Sequence, residues 1–223
     1  VEKSKRFNDA FLFLLVGYSN RIFIINPIMK IIDIKYEDLE EFYVMLAQKL
    51  SSEFSKSTHV AVIGIANSGL KLSAGVHKEL IKLGYSNSKD YAVRCKRPHS
   101  KITDVAGKIY NSPLHIPTFI SNMLRKIEHV VLSKLRPTTR IVDFHNSENE
   151  ISKSEYILII DDAVDSGHSM KSVFEKTKSL APNSTIKLAA YVITQKNPVI
   201  EPHFYQYRDI IVRFPWAVDS KAS

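Results

Sequence analysis

From Tyr36 onward the apolar residues recur every three or four positions, with Tyr36, Leu39, Phe42, Tyr43, Leu46 and Leu50 on one helical face. Acidic residues crowd the first turn, where the helix dipole favours them, so the spacing predicts a helix over 36–50. The period then changes. His59 to Ile65 is a short run rich in β-branched residues, Ala66-Asn67-Ser68-Gly69 breaks it, and Leu70 to Leu83 returns to helical spacing before Gly84. This reads as strand, turn, helix. The same grammar reappears later: Tyr156 to Ile160 is an apolar strand, Asp161 to Ser169 a polar turn, and Met170, Val173, Phe174, Thr177 and Leu180 mark a helix stopped by Ala181-Pro182-Asn183. Ile186 to Ile193 and Asp209 to Phe214 are further strand candidates. Strands alternating with helices predict an α/β chain with a mostly parallel central sheet flanked by helices.

Between the two strand–turn–helix units the pattern is less regular. Residues 97–140 contain Pro98, Pro113, Pro117 and Pro137, and Ile120, Met123, Leu124, Ile127, Val131 and Leu135 suggest one helix within them. We therefore expect a domain over 31–223 with a helical insert at about 97–145, preceded by an extension over 1–30. No internal repeat or low-complexity tract is evident.

Charge sharpens this division. Residues 89–140 hold eleven Lys/Arg against three acidic residues, which accounts for the whole net charge of +8. Such a run is most often a solvated face. It lacks a recognisable RNA or DNA motif, and Tyr91, Tyr110 and Phe119 are too widely spaced for a stacking surface, so nucleic acid is not the expected partner. Cys95 is the sole cysteine, which excludes an intramolecular disulfide framework and fits a reducing compartment. The apolar run Phe11 to Val16 is far below the roughly 20 residues of a spanning helix. Lys3, Lys5 and Arg6 precede it, but Asp9 intervenes and no small-residue cleavage pattern follows, so a cytoplasmic location without a membrane span is the expectation. His99, His115, His129 and His145 are too dispersed to suggest a metal site.

The chemistry is concentrated after the second strand. A turn leading from a parallel strand into a helix exposes backbone N–H groups at the helix start, a ready phosphate site. Within Asp165-Ser166-Gly167-His168-Ser169, Gly167 allows close approach of an anion and Ser166 and Ser169 add hydroxyl donors without bulk. Asp161 and Asp162 close the strand just before, where two carboxylates could accept hydrogen bonds from a ribose diol or help hold hydrated Mg²⁺. The bland alternative is a polar turn in which Asp165 merely caps the next helix.

The stretch Ile157-Leu158-Ile159-Ile160-Asp161-Asp162-Ala163-Val164-Asp165-Ser166-Gly167-His168-Ser169 resembles the phosphoribosyl-diphosphate signature of type I phosphoribosyltransferases. Tyr36 to Leu80, and Ile211-Val212-Arg213-Phe214-Pro215-Trp216, resemble the xanthine/guanine branch of that family. The resemblance implies the type I fold with a small hood built from the two termini. It implies transfer of a 5-phosphoribosyl group from 5-phosphoribosyl 1-diphosphate to a nucleobase-like, purine-type acceptor, with release of diphosphate and Mg²⁺ as cofactor. By the same resemblance, Asp161 and Asp162 would bind the ribose hydroxyls and Mg²⁺, and Asp165 would assist proton transfer at the base. Ser166, Gly167, His168 and Ser169 would hold the 5-phosphate, and Asn67-Ser68-Gly69 would be the diphosphate loop. Ile211 and Val212 would form the hood over the base, with Trp216 packing the hood. A homodimer is compatible with this reading.

The sequence also departs from that pattern. The related diphosphate loop usually carries Arg-Gly-Gly where this chain has Asn67-Ser68-Gly69, and the lysine that recognises a 6-oxopurine would align at Thr194. Lys196, two residues on, is the substitute expected on the same strand face. Arg94, Lys96, Arg97 or Lys101 could supply the missing cation from a loop that closes over substrate. The rival expectation is a protein that keeps the Asp161–Ser169 site to sense phosphoribosyl diphosphate or a nucleotide without transferring anything.

Overall fold

The computed structural model describes residues 16–18, 21–23, 30–96 and 140–217. Along the chain, β1 (Val16–Tyr18) and β2 (Arg21–Phe23) pair antiparallel, and β3 (Ile31–Asp33) leads into α1 (Tyr36–Ser51). There follow β4 (Val60–Ile65), α2 (Gly69–Lys82) and β5 (Ser88–Lys96), and later β6 (Ile141–Asp143), α3 (Glu148–Ile151), β7 (Tyr156–Val164), α4 (His168–Leu180), β8 (Thr185–Ile193), β9 (Phe204–Arg208) and β10 (Ile211–Arg213). The helix expected around 120–135 lies outside the described residues.

The central sheet has the order β6-β5-β4-β7-β8-β9, parallel throughout except for β6, which runs antiparallel to β5. Because alternate side chains of a parallel strand point to opposite faces, both faces must be covered. Val60, Val62, Leu158, Ile160, Ala189 and Tyr191 face one core with Leu39, Phe42 and Leu46 of α1 and Leu72, Val76 and Leu80 of α2. Ala61, Ile63, Ile157, Ile159, Leu188 and Ala190 face a second core, closed by Met170 and Val173 of α4 and Ile151 of α3. Near-continuous aliphatic runs in β4 and β7 are the sequence counterpart of burial on both sides.

The helix predicted at 36–50 is α1, and Asp38 Oδ2 secures its start by accepting the Lys35 N–H at 2.7 Å. Besides the short strands β1, β2 and β3, three strands of the central sheet were not evident from the pattern. In β5 the apolar residues packed in the second core are Tyr91, Val93 and Cys95, while Lys89, Asp90, Arg94 and Lys96 are exposed, so its apolar signal is weak. The partner strand β6 comprises residues 141–143, inside the stretch read as insert, and pairs Asp143 opposite Arg94. The edge strand β9 carries the mixed sequence FYQYR.

A second, two-stranded parallel sheet joins β3 to β10, with Ile211, Val212 and Arg213 opposite Ile31, Ile32 and Asp33. Arg213, 2 % exposed, pairs with Asp33, and Val212, Phe214 and Ile34 anchor this sheet in the first core. Among the described residues no helix is long and apolar enough to cross a membrane.

Candidate functional site

The parallel strands β4 and β7 are neighbours, so the turns that leave their carboxyl ends lie side by side. In open α/β sheets this edge is where ligands bind. Most of the residues singled out in the sequence gather there.

The strand β7 runs to Val164, four residues beyond the apolar stretch, so Asp161 and Asp162 are strand residues rather than the start of the turn. Register explains the extension: Asp161, Ala163 and Val164 pair with Ala190, Val192 and Ile193 of β8, and these ladder hydrogen bonds hold polar residues in extended form. Alternation places Asp161 with Ile157 and Ile159, on the side of α4, and Asp162 with Leu158 and Ile160, on the side of α2. The Asp162 carboxyl interacts with the Ser68 hydroxyl, and its Oδ1 accepts the Ala163 N–H at 2.9 Å. Asp161 Oδ1 accepts the Asp162 N–H at 2.9 Å. Burial, followed by the neighbouring Asp162 charge, pushes the Asp161 carboxyl well above the usual carboxylate range. Burial also raises Asp162, against the lowering effect of its hydrogen bonds. A cation held by these carboxylates would favour their ionised forms instead.

The turn after β4 is Ala66-Asn67-Ser68, with a cis peptide between Ala66 and Asn67. Its shape depends on close approach: a Cβ on Gly69, the first residue of α2, would lie 2.8 Å from the Ile160 carbonyl oxygen and 3.3 Å from Asp161 Cα. Only glycine lets α2 begin this near β7 and bring Ser68 to Asp162. Asn67 supplies no positive charge, and Lys71, in the next turn of α2, lies 4.8 Å over the Trp216 ring, which stacks on Phe214. Trp216 thus packs the small sheet against α2, as expected.

The turn after β7 contains Asp165 and Ser166 and ends on Gly167, which caps α4 with φ 77°. That left-handed conformation favours glycine over residues that carry a Cβ. The loop after β8 packs on this turn: the Val199 N–H donates to the Ser166 carbonyl at 3.0 Å, and a Cβ on Gly167 would meet Ile200 backbone at 3.1 Å. His168 and Ser169 form the first turn of α4, whose initial N–H groups have no acceptor within the helix. Cys95 of β5 reaches this point too, its thiol 3.7 Å from the Ser169 carbonyl. Burial pushes the Cys95 thiol up, with Arg140 acting in the opposite direction. Arg140 thus stands beside the start of α4, a cation the sequence pattern had left among the unplaced charges.

Asp165 follows the last β7–β8 pair, Val164 opposite Ile193, so its neighbour across the strands is Thr194. The Thr194 N–H donates to the Val164 carbonyl at 3.0 Å, and its hydroxyl donates to Asp165 Oδ1. Sequence reasoning treated Thr194 only as the place of an absent lysine. Knowledge of the register would have found the contact.

Other expected residues stand apart. The alternation of β8 stops at Ile193, so Lys196 does not share a strand face with Thr194; it is an exposed residue of the following turn. The side chain of Val212 is 7 % exposed and faces the core, while Ile211 is half-buried and its N–H donates to the Lys30 carbonyl at 2.9 Å. The hood strand is nonetheless pinned near the site, because the Asp209 N–H donates to the Ile193 carbonyl at 2.8 Å. Arg94 and Lys96 are exposed on β5, whereas Arg97 and Lys101 lie outside the described residues. No group of three or more His, Cys, Asp or Glu capable of holding a metal occurs among the described residues.

Comparison with known proteins follows the same lines. The fold is similar to that of a purine phosphoribosyltransferase from Pyrococcus horikoshii Ot3, at 17 % identity and a TM-score of 0.55 over 85 % of this chain and 95 % of that one. It is also similar to a Helicobacter pylori xanthine-guanine-hypoxanthine phosphoribosyltransferase, at 12 % identity and 0.53 over 86 % and 95 %. A hypothetical protein from Neisseria gonorrhoeae with bound ppGpp matches at 16 % identity and 0.54 over 87 % and 93 %. No curated protein matches by sequence. Residues 36–222 match the phosphoribosyl transferase domain family, and with this span, the mostly parallel sheet and the paired carboxylates at its edge, the chain belongs to the phosphoribosyltransferases.

Proposed function

We propose that the chain transfers the 5-phosphoribosyl group of 5-phosphoribosyl 1-diphosphate to a nucleobase-like acceptor, purines being the first class to try. One observation carries the reading: Asp161 and Asp162 lie at the carboxyl edge of β7, with Ser68 against Asp162 and the α4 start three residues beyond Asp165. A phosphorylated sugar fits this arrangement, its 5-phosphate on the N–H groups and hydroxyls of Ser166 to Ser169 and its diol on the carboxylates. The turn at Asn67-Ser68-Gly69 then faces the diphosphate.

The residues also fit Mg²⁺. Two adjacent, partly buried carboxylates that resist joint ionisation match an ion that takes one or two protein carboxylates and completes its octahedron with water and substrate oxygens. Asp161 and Asp162 would hold it, and when bound it would supply charge neutralisation for the departing diphosphate.

Departure of diphosphate leaves positive charge on the ribose, which the nearby carboxylates stabilise electrostatically. No covalent protein nucleophile is needed. The acceptor nitrogen forms the new C–N bond as the C–O bond to diphosphate breaks, and the Asp165 carboxylate accepts the proton that nitrogen loses. The hood strand β10, held to β3, bounds the acceptor and limits water.

Titration calorimetry with phosphoribosyl diphosphate and Mg²⁺ tests this, comparing wild type with Asp162→Asn and following diphosphate release with a nucleobase panel. We expect Mg²⁺-dependent binding, weakened at least roughly tenfold in Asp162→Asn, together with base-dependent release. Absence of binding in the wild type would refute the reading.

A second reading, nucleotide sensing without transfer, draws on the turn after β4. It bears no cation at Asn67, and Lys71 is engaged with Trp216. The ppGpp in the similar Neisseria gonorrhoeae structure makes that nucleotide a suitable probe. Tight binding with no diphosphate release for any base would favour sensing.

A further inference from the structure

The acid–base residue of the proposed reaction, Asp165, has a built partner in Thr194. We infer that Thr194 is a positioning residue for Asp165, fixing the carboxylate that accepts the proton of the acceptor nitrogen; this rests on the transferase reading above. Three observations converge. The parallel register brings residue 194 beside residue 165, directly after the pair Val164 and Ile193. The Thr194 N–H clamps the backbone at Val164, and its hydroxyl donates to Asp165 Oδ1. Thr194 is 5 % exposed, so water does not compete readily for that hydroxyl.

The physical consequence follows from what a turn residue lacks. Asp165 sits outside the ladder, where the charges of Asp161 and Asp162 repel it. A hydroxyl has a single proton, and donating it to a carboxylate makes a charge-assisted hydrogen bond that fixes the rotamer. Lysine at this position would compensate the Asp165 charge; threonine orients it while leaving its charge intact. The mode of base activation therefore differs from one in which a lysine reads a ring oxygen from the same place.

The test uses the full chain and two substitutions of similar volume. Thr194→Val keeps the branched shape and removes the hydroxyl, and Thr194→Ser keeps the hydroxyl and removes the methyl. Calorimetry with phosphoribosyl diphosphate and Mg²⁺ reports substrate binding, and diphosphate release with the best base of the panel reports turnover. The expected result for Thr194→Val is binding within about twofold of wild type, an acceptor KM nearly unchanged and kcat lower by roughly tenfold to a hundredfold. Thr194→Ser should retain kcat within about threefold. A Thr194→Val protein with wild-type kcat would overturn the positioning role while leaving the transferase reading standing. So would Thr194→Ser falling as far as Thr194→Val, because packing of the methyl would then be the cause. A wild type that turns over no base removes the transferase reading, and the positioning role with it.

Discussion

The turn after β4 and the turn after β7 each carry a parallel strand into a helix at the same edge of the sheet, and each depends on one glycine, but for different reasons. Gly69 lies within α2, and what it provides is space: its missing Cβ would stand 2.8 Å from a β7 carbonyl. Gly167 provides backbone freedom, since its φ is 77°. The polar groups differ correspondingly. The first turn offers neutral Asn67 and Ser68, brought in by close packing. The second is bracketed by Asp161, Asp162 and Asp165, held by ladder register and by Thr194. A site assembled in this way separates placement from charge, and the two can be disturbed independently.

The largest effect should come from filling the space. Gly69→Val drives a branched side chain into β7 backbone, and we expect about 3 kcal/mol loss of stability by urea unfolding, together with loss of phosphoribosyl diphosphate binding as Ser68 withdraws from Asp162. Near-normal stability would show that α2 is free to move off β7 and that the turn is not set by packing.

Next is backbone freedom. Gly167→Ala places a Cβ on a left-handed residue and against Ile200, at an expected cost of about 1–2 kcal/mol. Substrate affinity should fall with it, because the start of α4 must tilt to relieve the strain. If stability drops while affinity is unchanged, the helix start is not the phosphate site.

Charge comes third, and its sign is opposite. The folded-state pKa of Asp161 is raised, so the folded protein binds protons that the unfolded chain releases above about pH 4. Its contribution to stability is present below that pH and is lost as pH rises through the folded value. Asp161→Asn should therefore raise the urea midpoint of the ligand-free protein at pH 7 by about a few tenths of a molar and flatten the fall between pH 4 and 7, while abolishing Mg²⁺-dependent substrate binding. A lower midpoint at pH 7 would mean that Asp161 is stabilised as an anion.

The smallest effect tests the missing cation. Asn67→Arg adds a guanidinium to the first turn and should tighten diphosphate binding roughly threefold to tenfold, with stability nearly unchanged. No gain would point to neutralisation of the diphosphate from elsewhere.

Much of this comparison was visible in the chain itself. The spacing of Leu39, Phe42, Leu46 and Leu50 foretold α1. The aliphatic runs of β4 and β7, short and rich in β-branched residues, imply strands buried on both faces rather than buried helices. The residues Asp161 to Ser169 led to the expectation of a phosphate and diol site because charge, small donors and glycine occur there within nine positions. β5 was hidden, because only one of its faces is apolar. The start of the β7 turn was misread, because the polarity of Asp161 and Asp162 suggested a turn where the pairing with β8 continues the strand.

What local sequence determines here is the period of each element and the chemical character of each turn, since both are written in neighbouring residues. Which turn meets which is a matter of register. Asp165 and Thr194 are separated by 29 positions, and Asp162 meets Ser68 across two strands; no local pattern encodes either contact. They arise because β4, β7 and β8 align their carboxyl ends when their apolar faces are buried together, and burial of those faces, not the polar residues themselves, decides the geometry of the site.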